Sequence, residues 1–234
     1  MKKKKNHFNL IHSDLPSLLS KCASKKMLDQ FIHVSALGIE EATDSNYALS
    51  KLDGENKVKE NFNKSVILKP SIVYSVDDNF TTNFMNLLSM LPIMPLYYGG
   101  KTKFTPIHVS DFSNIIYEVV KKKITGETLE CIGPEVFTFK EILIKILKSI
   151  NKKRLLVPLP FFLAKINAKL FQLMPKPLLT IDQLKLLKYD NIISKKYKTN
   201  YDLKMEANKK FEEEINRYSY NWTSGGQFSK KIDK

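Results

Sequence analysis

Residues 31–51 read FIHVSALGIEEATDSNYALSK, and the fold is decided there. Residues 31–35 are a short apolar run of the length and composition of a buried parallel strand. A polar loop follows over 36–46. A helix is then expected from about 47 to 61, with Leu52 and Val58 turned inward. Residues 65–73 make a second apolar strand, with Pro70 near its end, where a missing N–H costs least. Strand, helix and apolar strand in this order predict a parallel sheet in an α/β layer fold.

The same stretch carries a chemical pattern. Tyr47 and Lys51 are four residues apart, so a helix sets them on one face about one turn apart. A phenol near pKa 10 is a poor base at neutral pH, and a nearby ammonium lowers that value. Such a tyrosine exchanges a proton with a carbinol or carbonyl oxygen while hydride moves elsewhere. Lys51 can also hold the ribose hydroxyls of a dinucleotide. Ser35 closes its strand at the carboxyl end, the edge where open α/β sheets bind ligands, and can orient the same substrate oxygen. Tyr-x-x-x-Lys alone leaves open a surface tyrosine beside a solvated lysine. The preceding strand and the strand that follows favour the functional reading.

Outward from this centre, helices are expected over 14–28, 80–91, 111–122, 139–150, 161–173, 180–187 and 205–217. In the first of these Asp14 is a candidate N-cap, and Leu18, Leu19, Cys22 and Ala23 share one side. Ser110 or Asp111 caps the helix at 111–122. Thr138 with Glu141 fits a capping box. Short strands are expected over 104–109, 128–132 and 155–159. Pro92 and Pro95 read as helix stops, and Gly99-Gly100 as a turn. His33 alternates within its strand as a packed core residue.

The 234 residues carry a formal net charge of +14. That balance suits nucleic acid or an anionic membrane. Arg154 and Arg217 are the only arginines, however, and base reading and bidentate phosphate contacts favour arginine. No nucleic-acid partner is expected, and peripheral contact with an anionic membrane is. Residues 155–174 can lie on such a surface or form a helix of the substrate domain. No run of 18 apolar residues occurs, so no transmembrane helix is predicted. Cys22 and Cys131 are far apart and read as buried, reduced thiols. The four histidines lack ligand spacing, and no metal is expected.

The stretch FIHVSALG, then NYALSK, then ILKPSIVYS, resembles an extended or atypical short-chain dehydrogenase/reductase. The later blocks GGKTKFTPIHVSDFSNII, GPEVFTFKEIL, RLLVPLPFFLAKI and LLTIDQLKLLKYDN narrow the likeness. In order, they are similar to bacterial homologues of the respiratory complex I 39-kDa (alpha subcomplex subunit 9) protein, over residues 8–218. The resemblance implies an NAD(P)-binding, reductase- or epimerase-like protein. An accessory or assembly role in a respiratory NADH dehydrogenase complex is the alternative. It implies NADP or NAD as cofactor and complex I subunits as partners. The expected location is cytoplasmic and peripheral at the inner face of the cell membrane.

By the same resemblance Ser35, Tyr47 and Lys51 match the catalytic positions. Lys51, Pro70, Ser71, Ile72 and Val73 match the cofactor-binding segment, and Phe104 and His108 border the substrate cleft. Asp111 matches an aspartate that caps the next helix. Two departures stand out. Ser75 replaces a family glycine, and no Gly-x-x-Gly-x-x-Gly turn occurs, since neither Gly38 nor Gly54 can serve as one. The family's N-terminal nucleotide-binding part is therefore expected to be missing ahead of Met1, and cofactor binding by this chain to be weak or absent. The expected layout is a basic tail over 1–7 and an incomplete Rossmann-like domain with interleaved substrate-domain segments over 8–130. A smaller, mainly helical substrate domain follows over 131–218, with a flexible tail over 219–234. The strand at 31–35 is expected to leave one open, apolar edge.

Overall fold

The computed structural model describes residues 7–159 and 181–228. The helix expected over 161–173 and the first residue of the one expected over 180–187 lie outside the described residues. So do most of the basic tail and the last six residues.

The central layer is a four-stranded parallel sheet. Its strands are β1 (Phe31–Val34), β2 (Ser65–Pro70), β7 (Thr128–Cys131) and β10 (Lys198–Thr199), side by side in that order. Val66, Ile67 and Leu68 of β2 are fully buried, as a central strand covered on both faces must be. On one face lie α1 (Leu15–Lys25), entered through a π-helical turn at Leu10–Asp14, and α2 (Asn46–Asn61). The other face packs on α4 (Val109–Lys121), whose Phe112, Ile115 and Val119 meet Val66, Leu68 and Leu129. The fold is α/β with a parallel sheet, as the sequence predicts.

A second core lies beyond the carboxyl ends of the strands. It joins α3 (Thr81–Met90), α5 (Phe139–Ser149), α6 (Ile181–Leu186) and α7 (Phe211–Asn216). Three two-stranded pairs frame it. β3 (Val73–Tyr74) pairs with β6 (Ile107–His108), β4 (Ile93–Tyr97) with β9 (Leu155–Leu159), and β5 (Lys103–Phe104) with β8 (Phe137–Thr138). The Thr138–Glu141 capping box forms as expected.

Several local expectations change. The apolar run at 65–73 breaks at Ser71, where the chain leaves the main sheet, and the run at 104–109 splits in the same way. Pro95 lies inside β4 rather than stopping a helix. Residues 205–210 are not helical, so the helix expected over 205–217 shortens to α7. The His108 ring, not Ser110 or Asp111, caps α4 by accepting the Ser110 N–H. The Asp111 carboxylate accepts from the Lys209 N–H instead, at 2.8 Å. Cys22 is exposed rather than buried. Asp14 makes no cap and pairs with Lys57 at 3.4 Å.

β1 ends the sheet. Ser35 and Leu37 N–H groups donate to Leu68 and Pro70 of β2, at 2.7 and 2.9 Å. By strand alternation the Ile32 and Val34 peptide groups face the open side.

Candidate active site at the carboxyl end of the first strand

Tyr47 stands in the first turn of α2. That turn is fixed twice. Ser45 Oγ accepts the Ala48 N–H at 3.2 Å. From α6, the Asp182 carboxylate accepts the Ser45 hydroxyl at 2.8 Å and the Asn46 and Tyr47 N–H groups at 2.9 and 3.0 Å. A carboxylate at a helix N-terminus satisfies orphan donors and complements the dipole. One turn on, Lys51 Nζ lies 5.7 Å from the centre of the Tyr47 ring and donates to the Val34 and Ser35 carbonyls at 3.3 and 3.4 Å. The structure therefore brings Tyr47, Lys51 and the end of β1 together.

The electrostatics differ from expectation. Burial raises the Tyr47 pKa, and the Lys51 ammonium lies over the ring rather than at the hydroxyl. Burial also lowers the Lys51 pKa, with Glu55 opposing. The phenol is thus held protonated, which suits a proton donor better than a base. Two aromatic rings from the N-terminal segment flank it edge-on. His12 lies 5.1 Å and Phe8 6.2 Å away between ring centres, and His12 Nδ1 is 3.0 Å from Ser50 Oγ.

Ser35 is turned elsewhere. Its hydroxyl donates to the Glu55 carboxylate beneath α2, and only its backbone carbonyl meets Lys51. Glu55 also holds Lys69 at 3.1 Å, and Lys69 reaches Glu40 and lies 5.2 Å from the Tyr197 ring centre. Burial works against the Lys69 charge, but Glu55 and Glu40 outweigh it and raise its pKa.

The segment after β2 meets Asn191. Ser71 Oγ donates to Asn191 Oδ1 at 2.5 Å and accepts the Thr105 N–H at 3.2 Å. Asn191 Nδ2 donates to the Leu37 carbonyl at 2.6 Å. One asparagine thus ties together the loop after β1, the crossing after β2 and the Thr105 turn. Pro70 is buried at the end of β2, while Ile72 and Val73 are half-buried beside Ile107. Phe104 is buried among Phe80 and Phe139. His108 is half-buried against Tyr74 with Nε2 4.0 Å from Glu214. Asp182, Asn191, Glu55 and His12 were not legible as site residues. Asp182 and Asn191 act on partners more than a hundred residues away, and no local pattern announces them.

A parallel sheet with tyrosine and lysine on the helix after an edge strand is an arrangement of the Rossmann-type α/β fold. Solved structures agree. The fold matches dTDP-glucose 4,6-dehydratase DesIV from Streptomyces venezuelae, with TM-score 0.64 and 17% identity, over 93% of this chain and 67% of that one. It also matches UDP-glucuronic acid 4-epimerase from Bacillus cereus, with TM-score 0.62 and 19% identity, over 89% and 67%. Both of those structures contain NAD.

The chain is a homologue of the alpha subcomplex subunit 9, or 39-kDa, proteins of respiratory complex I. It is 26% identical to the Mus musculus mitochondrial NADH dehydrogenase [ubiquinone] 1 alpha subcomplex subunit 9 over 188 residues, 80% of this chain and 50% of the relative. It is 25% identical to the Neurospora crassa NADH-ubiquinone oxidoreductase 40 kDa subunit over 201 residues, 85% and 52%. The chain thus spans about half the length of these relatives. No family model matches it.

Proposed function

We propose that the chain carries the proton-handling half of an NAD(P)-binding, reductase- or epimerase-like site, and that its 234 residues alone hold the dinucleotide weakly or not at all. The observation that supports this is the pairing of Tyr47 with Lys51 where Lys51 reaches the carboxyl end of β1. The residues fit one end of a dinucleotide. Lys51 and the half-buried Ile72 and Val73 suit the nicotinamide ribose and ring. The sequence has no glycine-rich turn to cradle a pyrophosphate. Bound nicotinamide dinucleotide supplies hydride exchange. The chain's own part is to donate or accept the proton at the Tyr47 hydroxyl, while Lys51 orients ribose and His108 borders the substrate.

Tyr47→Phe in a protein that contains this half together with a phosphate-binding half tests the reading. Loss of turnover with dinucleotide binding retained supports it, and unchanged turnover refutes it. For the chain alone, NADPH titration followed by fluorescence is expected to show no saturation at micromolar concentrations. Saturation in the low-micromolar range would overturn that expectation.

A second reading has its own observation. The Ser35 hydroxyl is committed to Glu55 rather than free for a substrate oxygen, which fits a site that is no longer turned over. On this reading the chain is a non-enzymatic accessory or assembly factor of a respiratory NADH dehydrogenase, at the inner face of the membrane. Tyr47→Phe would then leave assembly of that complex unchanged, while loss of the whole chain would reduce it.

A further inference from the structure

Helix α1 is mounted with its small residues inward. Pro16, Ser20 and Ala23 are buried, together with Ser13 in the π-helical turn before it. Ser13 Oγ donates to Asp53 at 2.5 Å, and Asn61 Nδ2 donates to Ser20 Oγ at 3.2 Å. The backbone of His12 lies against Gly54, where any Cβ would overlap the His12 carbonyl. This seam is close and partly polar. The large apolar side chains consequently face out. Ile11, Leu15, Leu18 and Leu19 are all exposed, Leu18 by 58%, and Met27, exposed by 87%, and Leu28 follow the helix end. Ile11, Leu15 and Leu18 fall at helical spacing and form one stripe. An ordinary surface helix has the reverse arrangement. A contiguous exposed apolar face of this kind marks a docking surface.

We propose that this face docks on an anionic lipid bilayer, with α1 lying in the plane of the headgroups. Charge selects the occupant. Lys21, Lys25 and Lys26 are exposed on the same helix end, and Lys2 to Lys5 precede the helix in sequence. Asp14, at the helix entrance, already pairs with Lys57. The whole chain carries +14, nearly all as lysine. Apolar residues entering the acyl boundary with lysines beside them is the arrangement of an interfacial helix. Lysine stems lie along apolar surface while their ammonium groups stay at headgroup level. A second copy fits worse, because it would bring both sets of lysines together. The proposal is independent of any activity at Tyr47.

Flotation of the full chain with phosphatidylcholine vesicles, with and without phosphatidylglycerol, tests it. Binding is expected only to the anionic vesicles and to weaken as salt is raised. Leu15→Asp with Leu18→Asp should cut the bound fraction roughly tenfold or more. Leu18→Trp should retain binding, and its emission should shift to shorter wavelength on vesicles. Ile144→Asp, an exposed apolar position on α5, is the control and should bind as the parent does. Melting curves of the variants matching the parent would show that folding is intact. Equal binding by the parent and the Leu15→Asp/Leu18→Asp variant would overturn the proposal. So would a stable dimer, or a stoichiometric complex with a second polypeptide, that the same variant dissociates.

Discussion

Lys69 has no exposed side-chain surface, yet it carries a charge. Glu55, Glu40 and the Tyr197 ring surround its ammonium. A buried pair is costly to break because the survivor stays charged without water. Glu55→Ala leaves Lys69 with Glu40 alone and should lower stability by about 1–3 kcal/mol in urea unfolding. The double change Glu55→Leu with Lys69→Met should cost markedly less, which a double-mutant cycle would show. His33 gives a pH effect. Burial, then Lys51, lowers its pKa to about 4, and among the described residues its Nε2 has no hydrogen-bond partner. The unfolded chain takes up this proton near pH 6.5 and the folded chain only near 4, so stability falls as pH drops through that window. His33 should contribute up to about 3 kcal/mol of that fall. His33→Leu should flatten the dependence by this part, measured as urea midpoints at the two ends of the window. The sequence made His33 legible as a packed strand residue. It did not show the aim of Ser35, because the competing Glu55 lies one helix away and only the fold turns it toward the strand.

At the scale of elements, α2 is held at its N-terminus and at its middle. Asp182 fastens its N-terminus, and Gly54 lets the backbone before α1 approach its middle. Asp182→Ala should cost about 1–2 kcal/mol and speed hydrogen exchange at the Asn46 and Tyr47 amides more than at amides later in the helix. Gly54→Ala should be destabilising by about 1–3 kcal/mol in thermal or urea unfolding, because the added methyl meets backbone rather than a flexible side chain. Elements with local signals were legible. β2 was marked by Val66, Ile67 and Leu68 at its centre, and α5 by its capping box. β4 was hidden by Pro95. A two-stranded pair has a free side on every strand, so a proline there loses no ladder bond, and Pro158 in the partner β9 is tolerated for the same reason. The orientation of α1 was also hidden. Leu18, Leu19, Cys22 and Ala23 read as one side, while Ala23 packs with Pro16 and Ser20 and the other three are exposed.

For the molecule as a whole, the order β1-β2-β7-β10 places the Tyr47–Lys51 site at the end of the sheet rather than in its centre. β2 is flanked by a strand on each side, and β1 by one. No described helix is long and apolar enough to cross a membrane. Hydrogen exchange should be slowest in β2 and β7 and clearly faster at Ile32 and Val34, whose peptide groups face the open side. Equal protection across β1 and β2 would contradict this.

The open side of β1 has a thermodynamic consequence. Lys51 is anchored on the carbonyls of Val34 and Ser35, at an edge of the described sheet. Anything that pairs with that side stabilises the strand by mass action and stiffens the lysine's anchor. Linkage makes the effect mutual: a ligand that prefers the ordered lysine strengthens the binding of whatever completes the strand, by the same factor in both directions.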